Sequence, residues 1–508
     1  RSTSNSGTLP NAVLYPRSSA QTSAVVRTAA RYGIPLHPIS RGKNWGYGDA
    51  CAPTDHQVIV DLSRMNRILD FDPELGYARI EAGVSQGELH EYLTKNNLPY
   101  WMDATAAGPD ASIVGNTLDR GYGHTRYGDR SAHACGMKIV LSNGEVLDTG
   151  FGHYHNAKAA TAYRNGTGPS LDGLFYQSNY GIVTEMGVWL MPKPEDYNVF
   201  FFTADSEQAL GEILEILGPL KRQGLLPSTI HIGNDLRLLA NQTRYPFERA
   251  RGQFPLPTNL RSDLRKEFGV GAWTGCGSIS GTRETVRAVR KRLKRDLKAF
   301  RPLFLDDKKM ALLIRAEKFL SWFGAGAELR KNIKKVQPIF DLLKGIPTPL
   351  TVEGGNWRVR EAEGTSGRDP LESHAGLMWI SPVLPMTATA ADEVTRLLEK
   401  VYSRHGFDTL LTFTMITDRA LCCVSNIAYD RRDEVESARA KACYNDAYAS
   451  LVQAGYIPYR SGPTGYAHLS DPSSVFWKIA AQIKETLDPE SILSPGRYIP
   501  IPKKRKAA

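Results

Sequence analysis

Six cysteines in 508 residues, at 51, 135, 276, 422, 423 and 443, are too few and too scattered for a disulfide scaffold. None forms a C-x-x-C pair, which removes the commonest zinc spacing, so no metal site is expected. No apolar run is long enough to cross a bilayer, so the chain is expected to be soluble, with the cytoplasm favoured over the periplasm. No G-x-G-x-x-G follows a strand and no Walker A loop occurs, which argues against a Rossmann or P-loop nucleotide enzyme. There is no internal repeat. Negative charge is in deficit, with 63 Lys and Arg against 53 Asp and Glu, a net charge of +10. The excess is spread along the chain apart from Arg287–Lys298, which reads as the solvated face of a helix, and the tail Lys503–Lys506. Nucleic acid is not an expected partner.

What is present is a long alternation of short strands and helices. Thr22–Tyr32 reads as a helix, and Pro35–Ile39, Val58–Asp61 and Ala78–Ile80 as strands. Ser85–Asn97 is a helix opened by a capping box, Ser85 with Glu88. Met137–Leu141 and Val146–Asp148 form a hairpin around Asn143-Gly144. The strand Ile182–Leu190 ends at Pro192-Lys193-Pro194, taken as a domain boundary. Beyond it, Ser206–Gln223, Thr282–Phe300, Ala390–His405 and Asp433–Ala454 have helical spacing and alternate with strands such as Leu377–Ile380 and Leu410–Thr414. This predicts an α+β domain, a sheet covered by helices on one face. Thr351–Ser373 reads as a mobile surface loop. Ser473–Leu487 reads as an amphipathic helix burying Phe476, Ile479, Ile483 and Leu487.

Three small-residue segments suggest a cofactor. Pro38–Gly48 runs a strand into a loop with three glycines, where successive N–H groups can cradle an anion. Gly108–Asn116 is a second such loop, leading into Asp119–Asp129 with its Gly121-Tyr122-Gly123-His124-Thr125. The third is Leu171–Thr184, with Gly181-Ile182-Val183. With Gly455–Ser461, which holds Tyr459-Arg460, these motifs resemble, in order and over nearly the whole chain, the vanillyl-alcohol oxidase and para-cresol methylhydroxylase family of flavoproteins.

That resemblance implies a two-part FAD-binding domain, residues 1–194 and 455–508, with an inserted α+β cap or substrate domain, 195–454. It implies that Arg41, Gly42, Lys43, Asn44, Trp45 and Gly46 hold the FAD pyrophosphate. Gly108, Pro109, Ser112, Gly115 and Asn116 would lie along the flavin, and Gly181, Ile182 and Val183 on the adenine side. Tyr47, Tyr459 and Arg460 would bind a phenol oxygen, with Arg497 beside the flavin to stabilise its reduced anion. A guanidinium and two phenolic donors favour a phenolate, whose charge enters the ring and expels hydride from the para benzylic carbon to leave a quinone methide.

The chain departs from the family at several positions. Ala107 stands where the oxidases have an aspartate, and neither Asp103 nor Asp110 is in register with it. His124 replaces a tyrosine and is either an acid/base or a hydrogen-bonded structural residue. Leu377 stands where the oxidases tether FAD through histidine, with His374 out of register, so the FAD is expected to be non-covalent. Cys422-Cys423 replaces paired histidines. The expected activity is oxidation of a para-substituted phenol with oxygen as acceptor, in a homo-oligomer. The alternatives are a cytochrome-coupled dehydrogenase, a flavin oxidase of a sugar, hydroxy acid or amine, and a binding protein with a vestigial flavin site.

Overall fold

The computed structural model describes residues 2–4, 7–322, 325–360 and 369–499. The basic tail Lys503–Lys506 lies outside them.

Two hydrophobic cores organise the chain. The first holds a five-stranded antiparallel sheet in the order Ile68–Asp72, Tyr77–Glu81, Ile182–Trp189, Ala134–Val140, Val146–Asp148. A small parallel sheet, Val13–Leu14, Val58–Asp61 and Leu36–Ile39, stands beside it. The capping box of the Gln86–Lys95 helix is formed on both sides. The Asn143-Gly144 turn joins the paired strands Ala134–Val140 and Val146–Asp148.

The C-terminal segment returns to this core. Leu36 pairs with Leu493, the Leu36 amide donates to Ile492 (2.7 Å), and the Ser494 amide donates back to Leu36 (2.6 Å). Ala480, Ile492, Leu493 and Ile499 are buried in it, whereas Tyr456 and Leu469 still pack against the second core.

The second core is built on an eight-stranded sheet. Its order is Leu303–Leu305, Asp196–Ala204, Trp273–Gly281, Ile230–Asn234, Leu410–Met415, Ala420–Asp430, Ala375–Ile380, with Val383–Pro385 also against Ala420–Asp430. Alternate side chains of a strand point to opposite faces. One face supplies Phe200, Phe202, Ile232, Phe413 and Cys423, buried under the helices Ala209–Arg222, Arg283–Asp296, Ala388–Arg404 and Glu434–Gln453. In the Arg283–Asp296 helix only Val286, Val289 and Leu293 are buried, so the basic run is its solvated face. Directly paired residues share a face, and the register places Phe201, Cys276, His231, Thr414 and Cys422 in one row on the other side. Its Phe201 and Cys276 end packs against the helices Asp307–Trp322 and Ala327–Leu343, and the row faces the first core across a cavity.

Two expectations are corrected here. The Val475–Leu487 helix buries the predicted stripe only in part: Ile483 and Leu487 pack against the first core, but Phe476 is 71% and Ile479 50% exposed, while Ala480 and Lys484 are buried. Burial is possible for Lys484 because its ammonium reaches the carbonyls of Asn179 (2.6 Å) and Leu493 (3.0 Å) and the Asp488 carboxylate (2.5 Å). The first part of the supposed mobile loop is interior. Trp357 and Arg358 are each 1% exposed; the indole donates to Asp408 (2.9 Å) and the guanidinium to Glu436 (2.6 Å). Residues 361–368 lie outside the described residues.

Candidate active site

A cavity of about 1160 Å³ lies between the first core and the face of the second sheet that carries His231, Thr414 and Cys422. A small-molecule site seldom exceeds roughly 1,000 Å³, so this space suits a large cofactor together with a substrate.

One wall is the first glycine loop. Gly42 adopts φ +64°, and an added Cβ there would fall 2.7 Å from that of Ala50, so the loop needs glycine. The amides of Gly42, Lys43 and Asn44 donate to no acceptor among the described residues. On the first core's side of the cavity Trp45 Nε1, Ser178 Oγ and Asn179 Oδ1 are likewise buried and unpartnered. Buried donors are rarely left unpaired, so this wall fits a ligand rich in oxygen and nitrogen acceptors and donors, as FAD is. Ser112 caps the Ile113–Leu118 helix through the Gly115 amide (3.0 Å), and an added Cβ at Gly115 would meet Ser40 Oγ at 3.0 Å. Arg41, Gly42, Lys43, Asn44, Trp45, Ser112, Gly115, Asn116, Gly181, Ile182 and Val183 all line the cavity.

Gly46, Gly108 and Pro109 are not among the lining residues. Gly46 is small for another reason: an added Cβ would sit 2.1 Å from Trp379 Cδ1, so the second sheet's indole occupies that space. The carbonyl of Gly108 accepts from Gln86 Nε2 (2.7 Å) and that of Pro109 from the Gly87 amide (2.8 Å), which makes both part of the supporting layer.

Tyr47, His124, Tyr459, Arg460 and Arg497 also line the cavity. Arg460 Cζ lies 4.3 Å from the centroid of the Tyr47 ring, and the Tyr47 hydroxyl is 2.8 Å from Ser381 Oγ. Tyr122 meets Tyr459 edge-on, with centroids 5.6 Å apart. Burial raises the pKa of both Tyr47 and Tyr459, with Arg460 opposing, so both remain hydrogen-bond donors at neutral pH.

The arginines are held by a residue that sequence reasoning passed over. Asp119 accepts from Arg460 Nε (2.6 Å), Asn44 Nδ2 (3.2 Å) and the Tyr498 hydroxyl (2.9 Å), and Arg497 NH2 lies 3.9 Å away. Arg460 also donates to Asn44 Oδ1. Burial opposes the charge on Arg460, but Asp119 together with Tyr459, Tyr47 and Tyr498 outweighs it and the net pKa is raised. The Asp119 carboxylate thus fixes both guanidinium groups while leaving a net positive charge. No spacing signal marks Asp119: its partner Arg460 is 341 residues away.

His124 stacks on His231 at 4.3 Å between centroids. His124 Nδ1 faces the Ala104 carbonyl (3.2 Å), which requires a proton on Nδ1 and leaves Nε2 as the basic atom. Thr229 donates its hydroxyl to the Gly123 carbonyl (2.9 Å), so its contact with His231 Nε2 (3.2 Å) places that ring's proton on Nε2, while Nδ1 meets Thr414 Oγ1 (3.0 Å). Burial lowers the pKa of both rings, so each is neutral at pH 7. His124 is therefore a neutral hydrogen-bonded ring with one basic nitrogen. Ala107 lines the cavity; Asp103 and Asp110 do not. Asp103 is tied to Arg130 (2.8 Å) and Thr125 (2.6 Å). Leu377 lines the cavity and His374 does not; Cys422 is a buried free thiol on the wall.

Comparison with known proteins bears on the cofactor and the fold. Residues 10–150 match the model of an FAD binding domain. The chain is 36% identical to 1'-carboxy-chondrochloren decarboxylase of Chondromyces crocatus, over 96% of this chain and 90% of that one. It is 31% identical to the 4-cresol dehydrogenase [hydroxylating] flavoprotein subunit of Pseudomonas putida, over 97% and 88%. Among solved structures, p-cresol methylhydroxylase with substrate bound superposes with a TM-score of 0.85 at 29% identity, covering 98% of this chain and 90% of that one. The 4-ethylphenol oxidase of Gulosibacter chungangensis superposes with a TM-score of 0.87 at 27% identity, covering 99% and 92%.

Proposed function

We propose that this chain, which belongs to the vanillyl-alcohol oxidase and para-cresol methylhydroxylase family of flavoproteins, oxidises a para-substituted phenol. It is an FAD-dependent oxidoreductase with an FAD-binding domain and a cap domain, and the substrate and the roles of its residues are our reading. FAD supplies a two-electron acceptor for the hydride lost from the benzylic carbon, which leaves a quinone methide.

One observation carries the proposal: the convergence of Tyr47, Tyr459 and Arg460 on one cavity wall, with Arg460 4.3 Å over the Tyr47 ring. Two neutral phenolic donors and a fixed cation bind a phenolate oxygen in preference to a phenol. Arg497 adds a second cation whose NH1 donates to the Tyr47 carbonyl (3.3 Å), suited to hold negative charge on the reduced cofactor. His124 Nε2 serves as proton acceptor during resolution of the quinone methide, in the absence of a carboxylate at Ala107. The unpaired amides of Gly42, Lys43 and Asn44 bind the pyrophosphate. With Leu377 at the tether position we take FAD to be non-covalent, and we take oxygen to be the acceptor.

The 36% identity to a decarboxylase favours a second reading, in which a carboxylated phenol loses CO₂ instead of gaining water. Release of CO₂ in step with turnover distinguishes the two. The phenolate claim is tested by titrating a nitrophenol into the protein and following its ionisation band. Binding as phenolate at least one pH unit below the free pKa, with the shift lost in Arg460→Met, supports it; binding as neutral phenol removes it.

A further inference from the structure

Five arginines line the cavity, and four have a carboxylate in place. Arg41 meets Glu88 at 3.2 Å, Arg330 meets Glu317 at 2.6 Å, and Arg460 and Arg497 share Asp119 at 2.6 and 3.9 Å. Arg237, from the second sheet's side of the cavity, has none within 4 Å among the described residues; Glu353, also on the cavity wall, lies beyond that distance. Its Nε is buried and unpartnered, and one terminal nitrogen makes a long contact of 3.4 Å with the Leu410 carbonyl.

The placement is specific. Arg237 belongs to the short helix Asp235–Ala240. An added Cβ at Gly233 would lie 3.5 Å from Arg237 Cγ, so the arginine stem runs over that glycine on the cavity face. Its guanidinium lies 5.3 Å from the Trp379 ring, and Trp379 itself packs on Gly46, next to Tyr47. Trp379 and Ser381 are two residues apart and both line the cavity, and Ser381 is the partner of Tyr47. Arg237 thus stands one indole beyond the phenol-binding wall. A stack on an indole offsets part of the cost of burying a guanidinium; an oxyanion in bidentate contact offsets far more. Burial lowers the Arg237 pKa to about 10, as expected for a cation lacking its counter-ion.

We infer that Arg237 receives a carboxylate carried by the substrate, so that the substrate is a phenolic acid, with the carboxylate remote from the phenol oxygen. This rests on the phenol reading above.

The test measures anaerobic flavin reduction against concentration for three compounds: a 4-hydroxyphenylalkanoic acid, its methyl ester and 4-ethylphenol. The wild type is expected to half-saturate with the acid at lower concentration than with the ester. In Arg237→Met the acid's half-saturation should rise about 10- to 100-fold, the range for losing a charged hydrogen bond, with ester and 4-ethylphenol changed less than about threefold. Arg237→Lys should recover part of the loss. Equal losses for acid and ester, or no preference for the acid in the wild type, would overturn the inference. So would loss of FAD from Arg237→Met on ultrafiltration with its melting temperature unchanged, which would assign the guanidinium to the cofactor. If no phenol reduces the flavin, the phenol reading fails by itself. The carboxylate site then stands or falls on whether 3-phenylpropionate perturbs the flavin spectrum of wild type but not of Arg237→Met.

Discussion

Replacing Asp119 by Asn removes the one negative charge between two buried guanidinium groups while keeping the side chain's size. The Arg460 and Asp119 side chains are 11% and 6% exposed, so water cannot substitute for the lost charge. Breaking a buried ion pair costs about 3–5 kcal/mol. A cooperative unit on the order of 250 residues, at ~2.1 cal/mol/K per residue, converts that to a fall in melting temperature of about 6–10 °C. Calorimetry of Asp119→Asn, Arg460→Met and the double variant measures it. The single variants should each lose stability, and the double variant should lose at least ~2 kcal/mol less than their sum, because the second change removes the charge that the first leaves stranded. An Asp119→Asn loss below ~1 kcal/mol, or strict additivity, would refute the claim that this carboxylate holds the arginines in place.

Further outcomes are expected. Tyr47→Phe should lower kcat/KM for 4-ethylphenol by roughly 10- to 100-fold through loss of a hydrogen bond to a charged oxygen, with little change in melting temperature; steady-state kinetics with calorimetry separates the two effects. Gly46→Ala places a Cβ 2.1 Å from Trp379 Cδ1 at a φ of +74° and should reduce FAD retention, which Gly46→Ala with Trp379→Leu should restore only in part, as read from the flavin-to-protein absorbance ratio. His37 has its pKa lowered by burial, and secondarily by Arg497, from 6.5 to about 3. Because the folded state binds fewer protons than the unfolded one, the stability contribution is complete above pH 6.5 and is lost as pH falls toward 3, by up to roughly 1.4 kcal/mol per pH unit. Denaturant midpoints between those pH values should fall less steeply in His37→Gln than in wild type.

Where a local rule suffices, the sequence was readable. The capping box of Ser85 and Glu88, the Asn143-Gly144 turn and the alternation of Leu410–Thr414 each involve neighbours in the chain. The glycine loop around Gly42 was readable for the same reason, since a positive φ has few causes. The apolar stripe Phe476, Ile479, Ile483, Leu487 was right only at Ile483 and Leu487, because spacing gives a face but not how much of it meets the core. Lys484 took the buried side by finding acceptors supplied by Asn179 and Leu493 from outside its helix. Gly46 resembles a phosphate-loop glycine in sequence, but its φ of +74° and the approach of Trp379 from the second sheet explain it. Asp119, His231 and Arg237 were invisible as site residues because their meaning lies in partners brought together by tertiary packing: Arg460, His124 and, for Arg237, the missing carboxylate.

The central claim meets its most direct test in the visible spectrum of the FAD-loaded protein held without oxygen while 4-ethylphenol is added. The account predicts bleaching of the oxidised flavin band within seconds, at a rate cut by Tyr47→Phe and Arg460→Met, and return of the band when air is admitted. A band unchanged by 4-ethylphenol and by a panel of other para-substituted phenols would contradict it.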